Sequence, residues 1–441
     1  MLTIVRARVM HTPRDPFRED GALEVFDDGA VAFDDGRILT TGSFAGVRRE
    51  HPDAEVLDTG GALLLPGLVD THVHYPQIAV VGAMGLELLE WLERRALPEE
   101  ARLADPSHAE RVARDFVHGL TAAGTTTALV FGSHFPDAQE ALFAEAERVG
   151  LRITSGLVVS DRNLLPALHL TPDEAYEASR RLLERWHNRG RLRYAVTPRF
   201  SGSCSEAMLE ACAALPGDLT VTTHINESVA EIRAVAELFP WSGDYLETYE
   251  RFGLAGKGSV LAHDVHVTDD ELRRLAAAGA CVAHCPASNA FLGSGAFPMR
   301  RHLEHGVRFA LGTDVGAGTG LSLLKEGLMS YQVQRLLPDG CQLHPEHLLY
   351  LATSAGAEAL GLGDTVGDLS PGKSADYVLV RPPAGGLLET VLHHADSPEE
   401  ALGAVFTLAR EESVAEVRLA GEPVYTRADA PVPRGRDPGP A

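Results

Sequence analysis

GLVDTHVH, residues 67–74, is a short β-branched run that ends in two histidines. Strand side chains alternate between faces, so His72 and His74 share one face. Seven further runs of this texture follow along the chain: TTTALVFGS (125–133), LRITSGLVVSD (151–161), LRYAVTPRF (192–200), LTVTTHINE (219–227), GSVLAHD (258–264), CVAHCPASN (281–289) and VRFALGTDVG (307–316). Longer helical patterns separate them. Pro172 to Trp186 and Asp269 to Ala278 are the clearest, each opening after a threonine able to cap it. Eight strand–helix units predict an α/β fold, a closed (β/α)8 barrel of the TIM type.

Working outward from the barrel, both ends of the chain read as β-rich. VAFDDGRILTTG (31–42) predicts a hairpin, with Asp-Asp-Gly supplying the turn. DLSPGKSADYVLVRP (368–382) and SVAEVRLAGEPVYT (413–426) are strand-like again. The expected division is therefore residues 1–65 and 366–425 as the two parts of a small β-sandwich domain, with the barrel at 66–365. The closing residues, 426–441, are rich in Pro and Gly and are expected to form a disordered tail.

Composition excludes several classes of function. The formal net charge is -23, which repels phosphate backbones and anionic membranes, so neither nucleic acid nor a membrane is an expected partner. No uncharged apolar run is long enough to span a bilayer, and no signal peptide is read at the N-terminus. The five cysteines are odd in number and irregularly spaced, and no C-x-x-C pair occurs. Neither a disulfide framework nor a zinc ribbon is expected, and a reducing cytoplasm fits. Cys281 and Cys285 read as small packed hydrophobes, and His393 and His394 as surface residues.

Barrel enzymes keep their active sites at the C-terminal ends of the strands. There the first run offers His72 and His74, the fifth His224, the sixth His263 and the eighth Asp314. A lone H-x-H or a lone Asp before Gly carries little information. Metal ligands or acid–base residues ending four separate strands carry much more. Neutral imidazoles with a carboxylate suit Zn2+, and Fe2+ also fits. Glu227, three residues after His224, is placed to serve as an acid.

PGLVDTHVH, the H-x-x-E of the fifth run, AHD, GTD and the closing GDLSPGKSADYVLV together resemble the amidohydrolase superfamily. Its binuclear members carry a lysine on the fourth strand, and LRYAVTPRF has none, so the resemblance implies one metal per chain. In the mononuclear deaminase branch the ligands would be His72, His74, His224 and Asp314. His263 would face the nucleophilic water, Asp314 would take its proton, and Glu227 would protonate a substrate ring nitrogen. Ligation by His263 stays open.

HVHYPQ, TPRFSGSCSE, LLEWLERRALPEE, HCPASNAFLGSG and GTDVGAG are similar to guanine deaminase motifs. That similarity implies a purine base as substrate and a homodimer. Phe200 can stack on a purine, Arg199 can donate to its carbonyl oxygen, and Gln77 offers a donor and an acceptor to the other ring edge. Trp91 is a further candidate contact, although a tryptophan there is more often a core or lid residue. Arg199 could instead be a structural ion-pair partner. Two residues depart from the family pattern: Asn226 where serine is usual, and Asp264 where a small residue is common. Competing readings are deamination of 8-oxoguanine, a pterin or cytosine, triazine dechlorination, and metal binding without catalysis.

Overall fold

The computed structural model describes residues 2–428. Eight parallel strands follow one another in chain order around a barrel: Leu68–His74, Thr125–Phe131, Arg152–Gly156, Arg193–Pro198, Thr220–Ile225, Ser259–His263, Cys281–His284 and Arg308–Leu311. The third strand resumes at Val158–Val159, which pairs with the fourth. Backbone hydrogen bonds join the two ends of the series: Asp314 N–H donates to His72 C=O (2.8 Å) and His74 N–H to Val315 C=O (3.0 Å).

Helices cover the outside of the barrel, as the sequence periodicity predicts. The helices at Pro172–Trp186 and Asp269–Ala278 begin at capping boxes, Thr171 with Glu174 and Thr268 with Glu271. Their apolar faces join the main core, where Leu182, Trp186, Leu272 and Leu275 meet outward-facing strand residues such as Val73, Ile225 and Leu261. The barrel lumen is filled separately by Val69, Leu129, Ala195, Val260, Ala262, Cys281, Ala283 and Cys285. Cys281 and Cys285 are thus packed inside, as expected of small hydrophobes.

The terminal segments meet in one mixed sheet of seven strands. Its order is Glu422–Thr426, Val414–Leu419, Tyr377–Val380, Glu55–Pro66, Thr3–His11, Glu24–Asp34, Arg37–Ser43. Tyr377–Val380 runs antiparallel to Glu55–Pro66, which joins the two ends of the chain. The 31–42 hairpin forms, with Asp35 and Gly36 both at positive φ in the turn. One face of this sheet contributes Met10, Leu63, Leu65, Val378 and Val417 to the barrel core. Residues 429–441, most of the expected tail, lie outside the described residues. Among the described residues, no helix is long and apolar enough to cross a membrane.

Candidate active site

Five side chains named from the sequence converge at the C-terminal rim of the barrel. His74 Nε2 lies 3.1 Å from His72 Nε2 and 3.2 Å from His224 Nε2. Asp314 Oδ1 is 3.3 Å from His72 Nε2 and 3.2 Å from His74 Nε2. His263 stands slightly further back, its Nε2 3.8 Å from Asp314 Oδ2. One donor atom from each of His72, His224, His263 and Asp314 can be chosen within 4.8 Å of the others. Ligands about 2.0–2.1 Å from a tetrahedral ion are about 3.4 Å apart. These separations of 3.1–3.3 Å are close to that spacing, and the His/His/His/Asp cluster could hold a metal ion.

Local backbone geometry aims these groups. His224 Nδ1–H donates to the Arg199 carbonyl (2.7 Å) and His263 Nδ1–H to Asn289 Oδ1 (2.9 Å), which leaves both Nε2 lone pairs for the centre. Strict alternation would put His263 on the outer side with Leu261. Positive φ at His263 (79°) and Asp264 (46°) turns the chain at that point, and Asn226 (49°) and Asp314 (47°) are also left-handed. Such strain in non-glycine residues concentrates at functional sites. Gly312 lets the eighth strand approach the first: a Cβ there would lie 2.9 Å from the Cβ of His72.

Asp70 ties the same two strands together from below. Its buried carboxylate accepts from the backbone N–H groups of His72 and Thr313 (3.1 Å each) and from the Thr313 hydroxyl (2.6 Å).

Burial sets the protonation states. It lowers the pKa of His72, of His74 (to about 4) and of His224 (well below its ordinary value), so the imidazoles are neutral at pH 7. Burial opposes ionisation of Asp314, but hydrogen bonds from His72 and His74 and the nearby His263 outweigh it and keep the carboxylate well below its usual range. Glu227 behaves oppositely. Burial, then repulsion from Asp314, pushes its pKa up to about 8, against a hydrogen bond from the Ser294 hydroxyl. Glu227 is 3% exposed and its Oε2 is 3.4 Å from His263 Nε2, so it is no solvated helix-end acid. A neutral carboxylic acid and an ionised carboxylate therefore flank one centre, an arrangement suited to acid–base chemistry.

A pocket of about 440 Å³ opens onto this centre. Gln77, Trp91, Arg199 and Phe200 line it with His74, His224, Glu227, His263 and Asp314. Trp91 is 2% exposed and packs with Leu88, Ala96, Leu292 and Ala317, so it is part of a small apolar cluster as well as of the pocket wall. Arg199 is both things the sequence allowed, a pocket residue and an ion-pair partner. Its Nη1 donates to both oxygens of Glu100 (2.8 and 2.7 Å).

The sequence reading missed Glu100, Asn289, Ser294 and Asp70. It also missed Glu231, which lies on the pocket wall, caps the following helix and accepts from the N–H groups of Glu227 and Ser228. Two further histidines near the site make structural contacts: His266 bonds the Ser294 carbonyl, and His284 bonds Ser330 and stacks on Phe297.

Asn226 and Asp264, the two departures, bond each other. Asn226 Nδ2 donates to Asp264 Oδ1 and to Glu271 Oε1 (3.0 Å each). Asp264 Oδ2 in turn accepts from His302 Nε2 (3.0 Å).

The sequence pattern of the Amidohydrolase family matches residues 63–424, and a short match to an imidazolonepropionase-like composite domain of bacteria covers residues 29–54. The chain belongs to the amidohydrolase family. Within that family its place is among the guanine deaminases. It is 55% identical over 435 residues to a probable guanine deaminase of Deinococcus radiodurans, covering 97% of this chain and 99% of the relative. It is 38% identical over 423 residues to the guanine deaminase of Escherichia coli K12, covering 95% and 96%. The solved structure of E. coli guanine deaminase superposes with a TM-score of 0.92 at 36% identity, over 97% of this chain and 99% of that one.

Proposed function

We propose that this chain is a zinc-dependent guanine deaminase that replaces the exocyclic amine at C2 of guanine with the oxygen of water, giving xanthine and ammonia. The observation that carries this reading is the convergence of His72, His74, His224, His263 and Asp314 on one centre with Glu227 beside them, inside a pocket walled by Arg199 and Phe200. His72, His74, His224 and Asp314 would hold the cation, one per chain, and Fe2+ suits the same donors. When bound, the cation supplies Lewis acidity that makes a water nucleophilic near neutral pH.

This chain's own residues do the rest. Asp314 accepts the proton of the attacking water, and His263 orients that water through Nε2. Glu227 gives its proton to the ring nitrogen beside C2, so that C2 becomes tetrahedral. Asp314 passes the water's proton to the amine; as the C–N bond breaks and ammonia leaves, the C2 hydroxyl becomes the carbonyl and its proton returns to Glu227. Phe200 stacks on the purine, and Arg199 donates to its C6 carbonyl. We place the enzyme in the cytoplasm, as a homodimer.

The test is ammonia release from guanine, 8-oxoguanine, cytosine and pterin by zinc-loaded protein. Rapid turnover of guanine is the expected result. Turnover of a different ring alone would overturn the substrate and keep the chemistry. Silence across the panel would leave only the metal site.

A further inference from the structure

Glu100 touches Arg199, which the proposed reading assigns to the C6 carbonyl, and Gln77, read from the sequence as facing the other ring edge; it is the last residue of LLEWLERRALPEE, in which only Trp91 drew a role. It sits on the short helix Leu97–Ala101 and is 3% exposed. Its Oε1 accepts from Gln77 Nε2 (2.7 Å) and Arg199 Nη1 (2.8 Å), and its Oε2 from the same Nη1 (2.7 Å). His134 Nδ1 lies 3.5 Å from Oε2.

These contacts remove two freedoms. The Gln77 amide is held on two sides: its Oε1 accepts from Gly316 N–H (3.2 Å), and its Nε2 donates to the carboxylate and lies 3.2 Å from His74 Nδ1. A flipped amide would set oxygen against carboxylate and NH2 against N–H. The Arg199 guanidinium is held by one nitrogen only. Its Nε and Nη2 have no hydrogen-bond partner among the described residues, and the side chain lines the pocket. A planar fork anchored at one corner presents its other donors in a fixed direction.

We propose that Glu100 is a positioning residue that sets substrate selectivity: it locks Arg199 and Gln77 so that the pocket requires a carbonyl on the ring edge away from the metal. This rests on the guanine reading above. A ring without that carbonyl leaves a buried cation with unused donors, and such a site rejects it. Without Glu100 the guanidinium can swing and the requirement relaxes.

The test compares kcat/KM for guanine and for 2-aminopurine, which keeps the C2 amine but lacks the C6 oxygen. It uses zinc-loaded wild type, Glu100→Gln, Glu100→Asp and Arg199→Met, with bound zinc measured in each. Wild type is expected to favour guanine strongly. In Glu100→Gln the guanine value should fall about 10- to 100-fold, chiefly through KM, while that for 2-aminopurine moves little. Glu100→Asp keeps the charge but is shorter, and should shift the ratio the same way by less. It carries the test if Glu100→Gln does not fold.

If Arg199→Met collapses the ratio but the Glu100 variants lower both substrates equally, or neither, the positioning role is overturned and the guanine reading stands. If Arg199→Met leaves the ratio unchanged, the assignment of Arg199 fails and takes this proposal with it.

Discussion

Glu227 and His263 face each other across 3.4 Å, yet their expected substitutions differ in outcome. Glu227 donates no ligand in the proposed arrangement, so Glu227→Gln should retain zinc by metal analysis and lose about 10²–10⁴-fold in kcat. Normal turnover in that variant would remove Glu227 from the mechanism. His74 and His263 compete for the fourth ligand position, and His74 is nearer Asp314, at 3.2 against 3.8 Å. His74→Ala should therefore lose its metal and His263→Ala keep it, read as zinc per chain after dialysis. The opposite pattern would exchange their roles. Residues of this kind were legible in the sequence because each is a chemically distinctive letter at the end of a β-branched run. Glu100 was not. In LPEE it looks like any exposed acid in a first helical turn, and its partners Gln77 and Arg199 are 23 and 99 residues away.

At the scale of elements, the eight strands and the capped helices could be read directly, because hydrophobic period and capping are local properties. The turns beyond the strand ends could not. Asn226 and Asp264 looked like two unrelated departures; the fold makes them one device across 38 residues. Asn226 also accepts, through its carbonyl, the N–H groups of Val265 and His266. Both ring nitrogens of His302 face acceptors, Asp264 Oδ2 and the Pro298 carbonyl (3.0 Å each), and both side chains are fully buried. This cluster holds the left-handed turn that swings His263 inward. Leaving a buried polar group without its partner costs about 1–3 kcal/mol. Asp264→Asn is therefore expected to lose about that much stability in urea unfolding and to lower kcat through misplaced His263. A loss below about 1 kcal/mol would mean that the turn is held by its backbone hydrogen bonds alone.

On the scale of the whole molecule, barrel closure and the joining of the chain ends both depend on pairings more than 200 residues apart, such as Asp70 with Thr313 (243 residues). Sequence texture announced the parts and the barrel, and the order of the seven-stranded sheet came only with the structure. Buried carboxyls couple this architecture to pH, and Glu326 is the clearest case away from the catalytic centre. It lies on the helix Leu323–Leu336 and is fully buried; one oxygen accepts from Ala287 N–H (3.0 Å) and the other has no partner. Burial raises its pKa well above the ordinary 4.5, against the single hydrogen bond. The folded chain thus keeps a proton that the unfolded chain releases above that ordinary value. Linkage then makes stability fall as pH rises from about 4.5 towards the folded-state pKa. Glu326→Gln mimics the protonated form and escapes this loss. The variant should melt close to wild type near pH 5 and increasingly above it towards pH 8, with both proteins metal-loaded. A difference in melting temperature that stays constant across that range would mean that Glu326 does not change protonation on unfolding.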